Sequence, residues 1–150
     1  MTHLKPGDKA PDFSVINENG DLVNLKDYSG KKLVLFFYPK ASTPGCTAEA
    51  CNLNENYDAF IQKGYDVLGV SADNPKRQLN FKTKYGFRYH LLADESHDVI
   101  KPYGVWGPKK FMGKEYDGIH RTTFIIDANG VIEEVIDKVK TKVHSEQILK

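Results

Sequence analysis

Residues 33–51, LVLFFYPKASTPGCTAEAC, join two opposite hydrophobic patterns and hold both cysteines of the chain, Cys46 and Cys51. Leu33-Val34-Leu35-Phe36-Phe37 is a solid apolar run, the pattern of a strand buried on both faces. After it, Leu53, Tyr57, Phe60 and Ile61 recur at i, i+4, i+7 and i+8, the spacing of a helix. Thr43-Pro44 between them reads as a helix start: a hydroxyl cap, then proline where its missing N–H loses nothing. Cys46 becomes the third helical residue, beside unsatisfied amides at the positive end of the helix dipole. That field favours a thiolate and predicts a nucleophilic sulfur.

Helical phase separates the two cysteines. At about 100° per residue Cys46 falls within about 20° of Leu53, inside the apolar stripe, whereas Cys51 falls about 160° away, towards the outer face. Read as ordinary small apolar residues, two cysteines would have no reason to be capped, phased and placed after a buried strand. A zinc site is poorly served, because C-x4-C offers two ligands and no second Cys/His pair follows at useful spacing.

Outward from this stretch the punctuation is regular. Upstream, residues 1–11 are polar with two prolines and predict an extended arm. Phe13–Ile16 and Asp21–Leu25 flank Asn17-Glu18-Asn19-Gly20 and predict a hairpin. Downstream, the helix is predicted to run to about Lys63 and stop at Gly64. Tyr65–Ser71 follows as a second buried strand, parallel to the first through a right-handed crossover. Asp73-Asn74-Pro75 opens the next helix and Gly86 closes it. Leu91-Leu92-Ala93 is a short strand, and Asp94 caps a brief helix with Val99 and Ile100. Residues 105–120 read as a loop carrying Trp106, Phe111, Met112 and Tyr116, and the aromatics Phe81, Trp106 and Tyr116 either line a pocket or fill the core, with core the expectation. Thr122–Ile126 and Val131–Ile136 form a hairpin around Asp127-Ala128-Asn129-Gly130, and a short terminal helix ends the chain. The fold class is α/β: a thioredoxin-like fold with a central mixed β-sheet flanked by helices and an N-terminal β-hairpin extension. One domain over 1–150 is expected at this length. Reactive groups in open α/β sheets gather beyond the carboxyl ends of the strands, where Cys46 falls.

Lys plus Arg number 21 against 20 for Asp plus Glu, a balance without the electrostatic footprint of a nucleic-acid or membrane-surface binder. No apolar run approaches a membrane span, and MTHLKPGDKAPDF has no hydrophobic signal region, so a cytoplasmic protein is expected. Two close cysteines in such a chain point to redox chemistry rather than a structural staple.

Pro39, Thr43 and Cys46 match the P-x-x-x-[TS]-x-x-C motif of peroxiredoxins, and TPGCTAEAC resembles their bacterioferritin-comigratory-protein (peroxiredoxin Q) branch. GDKAPDF at 7–13, YGVWG at 103–107 and HRTTFIID at 120–127 extend the resemblance along nearly the whole chain. It departs from common members at Ala41-Ser42 and at Asn52-Leu53-Asn54, away from the motif positions.

The resemblance implies a thiol-dependent peroxidase. Cys46 attacks a hydroperoxide and becomes a sulfenic acid, Cys51 condenses with it to an intramolecular disulfide, and thioredoxin or a similar dithiol restores both. It also implies that the Thr43 hydroxyl bonds the sulfur and the peroxide, that Pro39 shields the strand end, and that Arg121 holds the thiolate and the breaking O–O bond. Glu49 reads equally as the group that orients Arg121 and as a helix-dipole carboxylate. His120 beside Arg121 invites a Cys–His protease dyad but lacks an orienting partner. No metal, haem or flavin is called for, and an intramolecular disulfide removes the need for a dimer, so a monomer is expected. The alternatives are a thiol–disulfide oxidoreductase, against which C-x4-C spacing stands, and a redox-sensing binding protein. Two cysteines five residues apart on one helix cannot be bridged, so oxidation is expected to unwind Thr43 to about Asn54.

Overall fold

The computed structural model describes residues 2–150. In chain order its elements are β1 (Ser14–Ile16), β2 (Leu22–Asn24), β3 (Lys32–Phe37), α1 (Pro44–Glu55), α2 (Tyr57–Gln62), β4 (Tyr65–Ser71) and α3 (Pro75–Tyr85). Then come β5 (His90–Ala93), β6 (Trp106–Phe111), β7 (Lys114–Ile119), β8 (Thr122–Ile126), β9 (Ile132–Ile136) and α4 (His144–Ile148). The central sheet has the order β5-β4-β3-β8-β9, parallel across β5, β4 and β3 and antiparallel from there to β9. β1 and β2 form the N-terminal hairpin. This is the mixed, helix-flanked sheet of the thioredoxin-like fold.

The apolar run of β3 is explained by what lies on each side. Leu33, Leu35 and Phe37 enter one core cluster, with Phe13, Val15 and Val23 of the N-terminal region and Val99, Ile100 and Tyr103 after β5. Val34, Phe36 and Tyr38 enter another, with Cys46, Ala50 and Leu53 of α1, Phe60 of α2, Phe81 of α3 and Ile148 of α4. A strand between two cores has no polar face to alternate.

Four local expectations change. The long helix after Thr43 breaks at Asn56, whose backbone leaves helical geometry and whose amide donates to the Asn52 carbonyl at 2.9 Å; asparagine side chains compete with the helix ladder in this way. Beyond the break Ile61 is exposed. The brief helix after Asp94 is a run of turns, although the Asp94 carboxylate does collect the N–H groups of Asp98, Val99 and Ile100. Residues 106–119 are a hairpin, β6–β7, rather than a loop; it turns at Met112-Gly113, both at positive φ, and leaves Phe111, Met112 and Tyr116 exposed. Of the three aromatics read as core, Phe81 is buried and Trp106 packs against a core, but Tyr116 is not buried.

Candidate active site

Strand register brings the site together. Phe37, the last residue of β3, lies opposite Thr122, the first of β8. The chain leaving β3 towards Cys46 and the chain arriving at β8 through Arg121 therefore meet at one edge of the sheet. That edge is also the carboxyl end of the parallel strands, as Phe37 pairs with Val70 near the end of β4.

The loop between β3 and α1 is held by buried polar groups. Asp73 accepts the Ala41 N–H at 2.7 Å and the Ser71 hydroxyl at 2.6 Å, while Gln78 accepts the Tyr38 hydroxyl and donates to Ser71 and the Leu92 carbonyl. Ser42 is held at φ 65°, a backbone region that non-glycine residues seldom adopt. Pro39 sits half-buried at the start of this loop. Asp73 is legible in sequence as a helix start, but its hold on the loop is not.

Helix α1 starts at Pro44, as expected, but Thr43 does not cap it with its side chain. Its hydroxyl turns back to donate to the Lys40 carbonyl at 2.8 Å. With that hydrogen committed to Lys40, the expected bond from the Thr43 hydroxyl to the Cys46 sulfur is not made, and the Thr43 oxygen is left as an acceptor. The first amide to bond back is Thr47 N–H, to the Thr43 carbonyl at 2.8 Å, so the amides ahead of it in the first turn have no partner within the helix. Cys46 sits there, 1% exposed.

Arg121 bridges Cys46 and Glu49 of α1. One guanidinium nitrogen donates to Cys46 Sγ at 3.4 Å and another to Glu49 Oε1 at 2.6 Å. Gly45 leaves the space for it: a β-carbon there would stand 3.2 Å from Arg121 Nη2. Burial disfavours the charged guanidinium, but Cys46 and Glu49 outweigh it and raise the pKa of Arg121. Of the two readings of Glu49, the geometry supports the contact with Arg121. The carboxylate is fully buried beneath the helix rather than spread at its end. Its other oxygen, Oε2, has no hydrogen-bond partner among the described residues.

Cys51 is half-buried against the same core instead of facing solvent. The C-terminal segment covers the outer side of α1, with Ser145 donating its N–H to the Asn52 side chain at 2.7 Å and its hydroxyl to the Asn52 carbonyl at 3.1 Å. Burial, and then the charge of Glu55, raise the pKa of the Cys51 thiol. Both cysteines are free thiols. His120 is spent on the Pro108 carbonyl, 3.0 Å from its Nε2.

Two groups near the site escaped the sequence reading. Lys109, on β6, donates to the Ile119 carbonyl at 2.9 Å; burial lowers its pKa, the charge of Arg121 lowers it further and Cys46 opposes them. A second cation thus stands within electrostatic reach of the sulfur, on a hairpin that the sequence concealed. His144, on α4, reaches within 3.6 Å of Glu49 Oε2.

Burial pushes the Glu49 carboxyl up to about 7, against the charge and hydrogen bond of Arg121, from an ordinary value of 4.5. A folded pKa above the unfolded one means that the unfolded chain loses this proton first as pH rises. Glu49 therefore lowers stability progressively between about pH 4.5 and about pH 7, by an amount on the order of 3 kcal/mol, and by a constant amount above that. Glu49→Gln, which cannot ionise, is expected to gain melting temperature relative to the parent at about pH 8 compared with about pH 4.5. An equal difference at both pH values would show that Glu49 ionises in the fold as it does in the open chain.

A family model described as the AhpC/TSA family matches residues 6–135. Peroxiredoxin Bcp of Escherichia coli K12 is 50% identical over 149 residues, 99% of this chain and 96% of its own. Among solved structures, a cysteine-to-serine mutant of PrxQ from Xylella fastidiosa superposes with a TM-score of 0.92 at 32% identity, covering 99% of this chain and 95% of that one. A structure of the bacterioferritin comigratory protein from Xanthomonas campestris, described by its alkyl peroxide reduction activity, superposes with a TM-score of 0.86 at 34% identity, covering 91% and 87%.

Proposed function

Because the chain belongs to the AhpC/TSA family, in its peroxiredoxin Q (bacterioferritin comigratory protein) branch, we propose that it reduces hydrogen peroxide and organic hydroperoxides through Cys46 and is recycled through Cys51. Membership makes it a thiol-dependent peroxidase. The observation that carries the assignment of residues is the contact between Arg121 and the Cys46 sulfur at 3.4 Å, in the first turn of α1.

The steps follow from the charges. The helix start and Arg121 both favour negative charge on sulfur, so Cys46 works as a thiolate. A hydroperoxide entering beside it donates its O–H to the free lone pairs of Thr43, which orients the O–O bond towards sulfur. Sulfur attacks the nearer oxygen, the O–O bond breaks, and water or an alcohol leaves once a proton joins it. The charge growing on the breaking bond lies within the donor fork of Arg121, where it is worth more than in water. Pro39 closes the strand end against solvent. Cys51 then displaces hydroxide from the sulfenic acid to form the disulfide, and a thioredoxin-like dithiol reduces it. Residues 1–150 act as one domain, since one sheet separates both core clusters, and a disulfide made within one α1 gives a monomer a complete cycle.

Hydroperoxide consumption in an assay driven by thioredoxin and its reductase tests this reading, with insulin reduction as the control for a plain thiol–disulfide oxidoreductase. Insulin reduction without peroxide turnover would overturn it. The alkyl peroxide activity of the Xanthomonas relative favours including organic hydroperoxides among the substrates tried.

Arg121→Lys keeps a positive charge but loses the planar fork that reaches Glu49 and Cys46 at once. The thiolate is expected to form at higher pH and the peroxide step to slow by roughly 10²–10³, the range for removing one transition-state donor. Thiolate absorbance against pH and stopped-flow rates measure both. Unaltered values would take Arg121 out of the chemistry.

A further inference from the structure

The unpartnered Oε2 of Glu49 lies 3.6 Å from Nε2 of His144, and both side chains are fully buried. The protonation of His144 can be read from its other nitrogen. Gln147 Oε1 accepts the Lys140 N–H at 2.9 Å while the Gln147 amide donates to the Lys138 carbonyl, which fixes Oε1 as the oxygen. His144 Nδ1 stands 2.7 Å from that oxygen and must therefore carry a proton. A neutral ring then has a bare Nε2, which accepts the Thr123 hydroxyl at 2.7 Å. An ionised Glu49 would present its free oxygen to a bare nitrogen with no hydrogen between them. One further proton, on Glu49 or on the ring, removes that conflict.

Resting on the reading of Cys46 as nucleophile, we propose that Glu49 and His144 form a buried one-proton site that fills as Cys46 becomes a thiolate and empties as Cys46 is oxidised. His144 is then a positioning residue, acting through Glu49 on the charge that Arg121 offers to sulfur. With both Cys46 and Glu49 ionised, one partly exposed guanidinium would face two buried anions. A proton held by the pair leaves Arg121 to the thiolate. When the S–O bond forms and the O–O bond breaks, sulfur is oxidised by two electrons and its negative charge leaves with the alkoxide or hydroxide. The leaving group takes one proton, and the pair gives one up by way of solvent, so that Glu49 becomes the counter-charge of Arg121. Thiolate, hydroperoxide and the stored proton thus balance sulfenic acid and alcohol or water.

The charged and titratable groups around the pair agree with this. Cys46 shares α1 with Glu49, Arg121 precedes β8, and Lys109 on β6 lies within the field of both Arg121 and Cys46. Tyr89, whose hydroxyl donates to the Ala50 carbonyl, is held neutral by burial and by nearby groups that include Glu49. Burial raises the Glu49 carboxyl to about 7; for His144, burial and the charge of Arg121 lower the pKa against the hydrogen bond to Gln147, so the proton rests on the carboxyl.

Carboxyl-carbon and ring-nitrogen NMR shifts of the reduced protein, followed across the neutral range, test the site. We expect His144 to remain the neutral Nδ1–H form while Glu49 titrates near neutrality. In Cys46→Ser, which has no thiolate, the Glu49 midpoint moves to lower pH. In His144→Gln, whose amide offers Glu49 a permanent donor, the midpoint also falls and the Cys46 thiolate forms at higher pH. Should Glu49 stay ionised throughout, or should its midpoint be the same in the parent and in Cys46→Ser, the proposal is overturned. The same holds if a folded His144→Gln leaves both titrations unmoved. An error in the nucleophile assignment would show separately, as peroxide consumption that survives in Cys46→Ser.

Discussion

Cys46→Ser is expected to lose peroxidase activity with every reductant, by a factor on the order of 10⁶, the scale on which removing a covalent nucleophile falls. No other group in the site can replace the sulfur. Cys51 lies five residues along α1, half-buried, with its thiol held protonated by burial and by Glu55. Lys109 and Arg121 are cations and cannot attack the peroxide. Cys51→Ser is expected to behave differently. Its Cys46 stays in place beside Arg121, so the first turnover should run at close to the parent rate and consume about one equivalent of peroxide. It should then stall with a thioredoxin-type donor, holding a sulfenic acid that a dimedone-type probe will trap. Single-turnover peroxide loss, measured beside steady-state turnover, separates the two variants. If both fail equally at the first turnover, Cys51 is part of the peroxide step and the division of labour is wrong.

Much of this site was legible because its elements are locally encoded. The five apolar residues of β3 announce two cores, and Thr43-Pro44 and Asn74-Pro75 mark helix starts that the fold uses. Gly86, at φ 67°, ends α3 where the pattern ends. What escaped is non-local or lies on elements with little buried face. The β6–β7 hairpin buries only Gly107 and Ile119, so neither strand has an apolar face whose alternation would reveal it, and Lys109 was lost with it. Arg121 meets Cys46 across 75 residues; its place before β8 left a surface ion pair equally open, and the family resemblance decided for the site. His144 meets Glu49 with no resemblance to point to it. Thr43 shows the limit of local grammar: the helix begins after it, yet its hydroxyl bonds backwards, because the loop offers the Lys40 carbonyl.

Oxidation to the disulfide is expected to melt the front of α1 and to leave its rear in place. Both cysteines lie on one regular helix from Pro44 to Glu55, so their Cα atoms are roughly 8–9 Å apart, with side chains about 140° out of phase. A disulfide requires about 7 Å or less and converging Cβ atoms. Unwinding must therefore reach Cys51, and the structure indicates where it stops. Asn52 is tied to Ser145 through both its side chain and its carbonyl, Asn54 is tied to Arg88 and Gly86, and Leu53 is fully buried. On the other side, Ala41 is held by Asp73. Residues 44–51 lie between these anchors, about two turns, and their release breaks the Tyr89–Ala50 and Arg121–Glu49 contacts. Each helix bond lost costs about 1 kcal/mol, and the melted segment places Cys51 in water, where its thiolate forms more readily and can attack. Helical circular dichroism should fall by about two turns on oxidation. Amide exchange should rise steeply from Thr47 to Glu55, whose amides donate to the carbonyls of residues 43–51, and stay slow at Phe60 in α2, whose amide donates to the Asn56 carbonyl. If protection at Thr47–Cys51 persists in protein whose thiols no longer titrate, Cys46 and Cys51 are not joined within one chain, and the oxidised product has some other partner.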